Sequence, residues 1–282
     1  MGFDLKGCVA VVTGSSRGLG RVYARALAAA GAAVAVTGRS ANQVRETAQL
    51  IEATGGRAIP VSFDVADPDA VKHAVNEIQA QLGTIDLLVN NAGIGGPIGY
   101  SWDVDPDSWW RTLEINVRGT LLCSRAVLPG MIRRGHGRII NIASHAGVFR
   151  WPTASAYSVS KAAVVKLTEN LAVELKRQNI YVFAFHPGLV EAGMTHALLE
   201  VDAPIESPVY RASAWIREQI EAGRTIPPEL SVEPILFLAS GGADALSGCY
   251  LTVFDDLASL TAKAETIRRD DLLTLRVKQY AE

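Results

Sequence analysis

The chain has 282 residues, 49% hydrophobic and 20% charged, with a formal net charge of −2. That supplies material for a sizeable core and excludes both a nucleic-acid surface and a polybasic membrane patch. The longest low-polarity stretch, residues 26–37, is about half of the roughly 20 apolar residues a spanning helix needs, and Gly31 divides it. Residues 1–7 carry no positive region ahead of an apolar run, so no signal peptide is expected. Lys6 stands where a myristoylation signal carries Ser or Thr. Cys8, Cys123 and Cys249 are odd in number and far apart, as buried thiols are, and unlike a disulfide framework. His73, His136, His145, His186 and His196 lack HExxH spacing and Cys partners, so no metal site is expected. A cytoplasmic location is the default expectation.

Short β-rich runs alternate with helical patterns. Residues 8–12 form a first apolar run ending in Thr13-Gly14, and 21–30 read as a helix closed by Gly31. A second strand is expected at 33–37, then a helix at 41–54 stopped by Gly55-Gly56, then a strand at 58–63. Asp67-Pro68 caps a helix at 67–82, and a fourth strand covers 85–89. One helix is expected from Asp107 to about Met131, and another from about Ala156 to Lys176, flanked by strands at 138–143 and 180–185. A last strand spans 249–253. Continuous apolar strands separated by helices imply a doubly wound parallel sheet with helices on both faces. There is no linker or repeat, so residues 1–254 read as one domain. The segment 191–229 breaks the rhythm with Pro204, Pro208, Pro227 and Pro228. In the tail, 255–282, Leu257, Leu260, Ala264 and Ile267 recur at helical spacing and predict a docked helix.

Thr13-Gly14-Ser15-Ser16-Arg17-Gly18-Leu19-Gly20 links the first strand to the first helix. Gly14 permits the tight turn, while Gly18 and Gly20 let backbone approach a pyrophosphate and the helix approach the sheet. The helix N-terminus then faces the anion. Ser16, Arg17 and Leu19 are candidate cofactor contacts with these glycines. The second strand ends Val36-Thr37-Gly38-Arg39-Ser40, without the acid an NAD site places there. Arg39 and Arg17 suit a 2′-phosphate instead. NADP(H) is therefore the preferred cofactor, with NAD(H) admissible.

Tyr157 and Lys161 lie four residues apart and share a helix face. A nearby ammonium favours the phenolate, and with the second positive charge of an oxidised nicotinamide ring it is expected to bring Tyr157 from near pH 10 closer to neutrality. Ser144 ends a strand at the ligand-binding edge, where its hydroxyl can bind the substrate oxygen.

With the glycine loop, Asp64-Val65, Asn90-Asn91-Ala92-Gly93, Asn116, Ser144, Tyr157, Lys161 and Pro187-Gly188 in this order, the chain resembles the short-chain dehydrogenase/reductase family over about residues 5–254. The resemblance implies a Rossmann-type sheet of seven strands in order 3-2-1-4-5-6-7, and a homotetramer or homodimer. It implies adenine contacts from Asp64 and Val65, and a cofactor lining of Asn91, Ala92 and Gly93. Lys161 would also bind the nicotinamide ribose, and Asn116 would hold a proton-passing water. Pro187, Gly188 and Val190 would pack near the nicotinamide. The chain departs from the family at Ala192, where a threonine is usual and Thr195 is the nearest substitute. It departs again at Phe254-Asp255-Asp256, which replaces Asp-Gly-Gly, and in the tail, expected to pack on the domain, near the pocket entrance, or on a neighbouring subunit.

Candidate substrate-lining residues are Ile94 with Gly95 and Gly96, His145, Phe149, Trp151, Met194 and Trp215, under a lid at 191–229. They suit an apolar small-molecule carbonyl or alcohol. The paired carboxylates Asp255-Asp256 and Asp270-Asp271 read as solvated or ion-paired tail residues. Two other readings are a non-catalytic dinucleotide sensor, which would often lack the tyrosine or lysine, and a nucleotide-sugar epimerase or dehydratase, which would need a larger C-terminal domain.

Overall fold

The computed structural model describes residues 3–277. In chain order, β1 (Val9–Val12), α1 (Gly18–Ala29), β2 (Ala33–Gly38), α2 (Ala41–Glu52), β3 (Arg57–Ser62), α3 (Pro68–Leu82) and β4 (Leu87–Asn90) form the first half. There follow α4 (Pro106–Leu113), α5 (Gly119–Arg134), β5 (Gly137–Ile142), α6 (Ser155–Leu175) and β6 (Ile180–His186). The remainder is α7 (Met194–Leu199), α8 (Pro208–Glu221), α9 (Val232–Ser240), β7 (Tyr250–Thr252), α10 (Leu257–Ala262) and α11 (Ala264–Arg269).

The strands form one seven-stranded sheet in order β3-β2-β1-β4-β5-β6-β7, and every pairing is parallel. All four residues of β1 are buried, as a strand covered on both faces requires. Alternate side chains serve two cores. Ala10 and Val12 join Tyr23 and Leu27 of α1 and Ile235 and Leu238 of α9, while Val9 and Val11 join Ile78 of α3 and Val127 and Met131 of α5. Buried amides tie the layers together near the ligand-binding edge. Asn90 Nδ2 donates to Ser124 Oγ (3.1 Å) and Asn141 Oδ1 (2.9 Å), and Asn141 Nδ2 donates to Thr168 Oγ1 (2.9 Å). This chain sets the height of α6 on the sheet, and with it Tyr157 and Lys161 two to three turns earlier.

Several elements differ from the sequence pattern. α1 begins at Gly18 rather than Arg21, so Gly20 of the loop lies within the helix. The single helix expected from Asp107 is interrupted by a π-helical turn at Glu114–Arg118. Periodicity does not register that one-residue widening of the helix. The tail is two short helices parted at Lys263 rather than one, although Leu257, Ala264 and Ile267 are buried as their spacing predicts. Asp67 accepts from the N–H groups of Asp69 and Ala70, with Pro68 in the first turn. Cys123 and Cys249 are buried, and Cys8 is half-buried. Among the described residues no helix is long and apolar enough to cross a membrane.

Candidate active site

The turn after β1 is shaped by contacts that admit only glycine. A Cβ on Gly20 would lie 2.4 Å from the Gly14 carbonyl oxygen, and one on Gly14 would lie 2.9 Å from Ala92 Cα. Gly18, at φ +55°, is open by contrast: the nearest atom to its added Cβ is Gly193 Cα of the lid, at 3.7 Å. Asn91 Nδ2 donates to the carbonyls of Thr13 (2.9 Å) and Gly14 (3.2 Å), while Thr13 Oγ1 accepts from the N–H groups of Asn91 and Ala92 (3.0 Å each). Ser15 is turned inward, donating to the Val12 carbonyl at 2.7 Å. The Ser16 carbonyl is held by Arg21, whose guanidinium also pairs with Glu46 at 3.0 Å. No side chain caps the N-terminus of α1, because Arg17 at that position carries only donors. The result is an uncapped helix end behind a glycine-rich turn, which fits a diphosphate.

Arg17 and Arg39 are exposed, and neither forms an ion pair among the described residues. Ser40 is engaged as the cap of α2, accepting from Gln43 N–H. Asp64 is also engaged: one oxygen accepts from Ala66 N–H at 2.9 Å and the other pairs with Arg111 at 2.9 Å. Val65 is buried, beside Gly119.

Lys161 is 4% exposed, and its Nζ donates to the Ile142 carbonyl at 2.7 Å. That nitrogen lies 5.7 Å from the centroid of the Tyr157 ring, so the two groups share one space. The Tyr157 phenol lies close to the Ser144 side chain. Burial lowers the Lys161 pKa to about 8. Burial also raises Tyr157 above its ordinary value, the nearby Ser144 hydroxyl only partly offsetting it. In the protein alone desolvation is thus the larger effect, and Lys161 by itself does not acidify Tyr157 as expected.

Asn116 sits in the π-helical turn. Its Nδ2 donates to the Ile94 carbonyl and to Ser160 Oγ, both at 2.9 Å, and its Oδ1 accepts from Ile94 N–H at 2.8 Å. Both amide protons are thus engaged, and the side chain buckles residues 91–94 onto α6. Ser160 continues the link by donating to the Tyr157 carbonyl at 2.7 Å. Gly93 lies under this buckle, where an added Cβ would be 3.8 Å from Lys161 Nζ.

Beyond β6, Pro187 and Val190 are buried, and Gly188 at φ +86° is packed against Ile226. A bridge from Val190 to Ile226 closes the base of the lid, and the Glu191 carboxylate accepts from Thr225 Oγ1. Thr195 lies in the first turn of α7, one turn from Ala192. Met194 reaches back over Gly95, its sulfur 4.0 Å from where a Cβ would stand. Trp151 meets the Tyr157 ring edge-on at 6.4 Å, and Trp215 of the lid meets Trp151 at 5.6 Å. Phe149 is 68% exposed and lies against His145 rather than Tyr157.

Sequence reasoning passed over four contributors here: the Thr13 hydroxyl, the Ile142 carbonyl, Ser160, and the buried ring pair His186 and Tyr250. The first three bond within or beside quoted motifs. His186 stacks under His145, with centroids 4.1 Å apart, and its Nδ1 has no partner; burial, then His145 and Lys161, lower its pKa to about 3. Its place one residue before Pro187-Gly188 was the available signal. The tail carboxylates are structural. Asp255 accepts from Thr252, Asp256 caps α10, Asp270 pairs with Arg269, and Asp271 pairs with Arg276.

Comparison with known proteins agrees with this geometry. The family model described as short chain dehydrogenase matches residues 8–202. A short chain dehydrogenase of Pseudocercospora fijiensis is 43% identical over 67% of this chain, a stretch that spans only 62% of that protein's own length. A crystal structure of gluconate 5-dehydrogenase from Burkholderia cenocepacia, in complex with NADP and tartrate, is 35% identical with a TM-score of 0.79, covering 93% of this chain and 98% of the other. A variant of actinorhodin polyketide ketoreductase with NADPH is 33% identical with a TM-score of 0.81, covering 89% of this chain and 97% of the other. The chain belongs to the short-chain dehydrogenase/reductase family of oxidoreductases.

Proposed function

We propose that the protein is an NADP(H)-dependent oxidoreductase that interconverts a ketone or aldehyde with an alcohol, using Tyr157 as general acid and base. One observation carries this reading: the Tyr157 phenol, the Ser144 hydroxyl and the Lys161 amine lie together, in a chain whose β1–α1 turn is glycine-rich and ends in an uncapped helix. Bound there, the nicotinamide dinucleotide supplies or accepts the hydride. The N–H groups at the start of α1 receive its diphosphate, with Gly18 giving access. Arg39 and Arg17, exposed and outside any ion pair among the described residues, suit the 2′-phosphate. NADP and NADPH in the two solved relatives support the same preference.

In the reducing direction Ser144 Oγ holds the substrate oxygen and the Tyr157 phenol gives it a proton as charge develops there. The charge of Lys161 stabilises the resulting phenolate, and Ile142 O fixes the amine in place. Asn116 acts one step back, by holding residues 91–94 and Ser160 around the pair. In the oxidising direction the tyrosinate takes the alcohol proton. Trp151 and Trp215 give the substrate side an apolar wall, which favours an apolar small molecule. The family's usual assembly supports a homotetramer or homodimer, and the absence of any membrane-spanning helix among the described residues is compatible with a cytoplasmic enzyme.

The test is a panel of ketones and alcohols assayed with NADP(H) and NAD(H), followed by absorbance of the reduced nicotinamide. Turnover with higher kcat/KM for NADP(H) is expected. Dinucleotide binding with no turnover on any carbonyl or alcohol would favour the sensor reading, and equal or better efficiency with NAD(H) would remove the cofactor preference.

A further inference from the structure

We infer that the C-terminal segment 270–277 is a strap that positions the catalytic helix, with Glu169 as its anchor and Leu275 as its wedge. This rests on the oxidoreductase reading of the site.

Glu169 lies on α6 with a side chain only 7% exposed. A carboxylate that deep is costly unless donors surround it. Three donors do so: Lys166 Nζ at 2.7 Å, the Leu275 N–H at 2.6 Å and Arg276 Nη1 at 2.6 Å. Two of the three come from the strap, more than 100 residues along the chain. A helix needing only to pack on the sheet would carry an apolar residue here. The polar choice makes sense as a receptor for the strap. A second attachment lies on the sheet, where the Tyr250 N–H donates to the Leu273 carbonyl at 2.7 Å and the outer edge of β7 is covered.

Between these two attachments Leu275 packs on the cluster of Ala143, Val165, Ala184 and Tyr250. Ala143 is the residue before Ser144, and Val165 is one helical turn beyond Lys161. The strap therefore presses from behind on the neighbours of two reacting groups while touching neither. If Leu275 goes, α6 and the end of β5 can part where Ser144 and Tyr157 must meet, and misplacement of reacting groups by about 1 Å costs up to roughly a hundredfold in rate.

The experiment compares Leu275→Ala, Leu275→Met and Ile267→Ala in the full-length chain. Ile267 is a more deeply buried tail residue, 6% exposed where Leu275 is partly buried, but it packs on the opposite core and serves as the control for tail stability. Leu275→Ala is expected to lower kcat about tenfold or more, with KM and dinucleotide affinity within about twofold, while Leu275→Met keeps the wild-type rate. Amide exchange at Ala146, Gly147 and the first turns of α6 should quicken by about tenfold in Leu275→Ala only. Ile267→Ala should lower the melting temperature without changing kcat or that exchange. Unchanged exchange in Leu275→Ala, or an equal loss of kcat in Ile267→Ala, overturns the proposal. A wild type without oxidoreductase turnover would remove the proposed function alone, since the exchange readout does not depend on catalysis.

Discussion

Replacing Gly20 by alanine isolates the geometry of the cofactor turn. The added methyl would sit 2.4 Å from the Gly14 oxygen and 2.5 Å from Asn91 Nδ2. Reaching ordinary van der Waals contact requires α1 and the turn to part by about 1 Å. Overpacking of this kind costs about 1–3 kcal/mol. Displacing Asn91 weakens its two hydrogen bonds to Thr13 and Gly14, each worth about 1 kcal/mol net. Alanine returns about 1 kcal/mol in helix propensity, because position 20 lies inside α1. The balance is a loss of about 2–3 kcal/mol, or a fall in melting temperature of about 4–12 °C for a chain of this size. Gly95→Ala is the comparison, since its Cβ would meet nothing nearer than Met194 sulfur at 4.0 Å and should leave the melting temperature unchanged. Thermal unfolding of both variants, with titration of NADP+ by fluorescence, makes the measurement. If Gly20→Ala melts with the wild type and binds the dinucleotide equally well, the close approach of turn and helix is not what shapes the site.

Three further outcomes are expected. Arg39→Ala should lower the ratio of kcat/KM for NADPH over NADH by about 10- to 100-fold, the worth of a charged hydrogen bond, without loss of stability because the side chain is exposed. The lysine titration has a definite sign. With Lys161 lowered to about 8 by burial, the native state sheds its proton before the unfolded state does, so its contribution to stability should rise as pH increases from about 8 toward 10.5, by about 3 kcal/mol. Cys8, Cys123 and Cys249, whose thiols burial pushes up, lower stability above about pH 9 in any variant, so the lysine contribution is read as the wild-type minus Lys161→Met difference in urea unfolding, which should grow across that window; a difference independent of pH would contradict the burial argument. Asn116→Ala should lower kcat by about tenfold or more through release of residues 91–94 and Ser160, and kinetics with saturating NADPH measure it.

The parallel strands and the glycine turn were legible because each depends on local chemistry: continuous apolar runs for strands buried on both faces, and glycines where backbone must meet backbone; the strand order came from the family resemblance. Tyr157 and Lys161 were legible through their spacing on one helix. Their protonation was not, because it depends on a carbonyl of β5 and on burial that no spacing records. The π-helical turn escaped notice for a related reason. Asn116 within it bonds to Ile94, a partner 22 residues away. His186 and Tyr250 read as strand residues, and only the sheet register brings them beneath His145. Leu257 and Ile267 announced a docked tail by their period, but the residues that reach α6, Leu275 and Arg276, lie past the end of that period and bond to Glu169 across more than 100 residues.

The central claim is that the Tyr157 hydroxyl moves the proton on the reacting oxygen. Tyr157→Phe keeps the ring against Trp151 and removes only that hydroxyl, so carbonyl reduction with NADPH measures it directly. A general acid is worth about 10²–10⁴-fold, so kcat should fall by about a hundredfold or more while NADPH binds with unchanged affinity. Turnover near the wild-type rate in that variant would contradict the account.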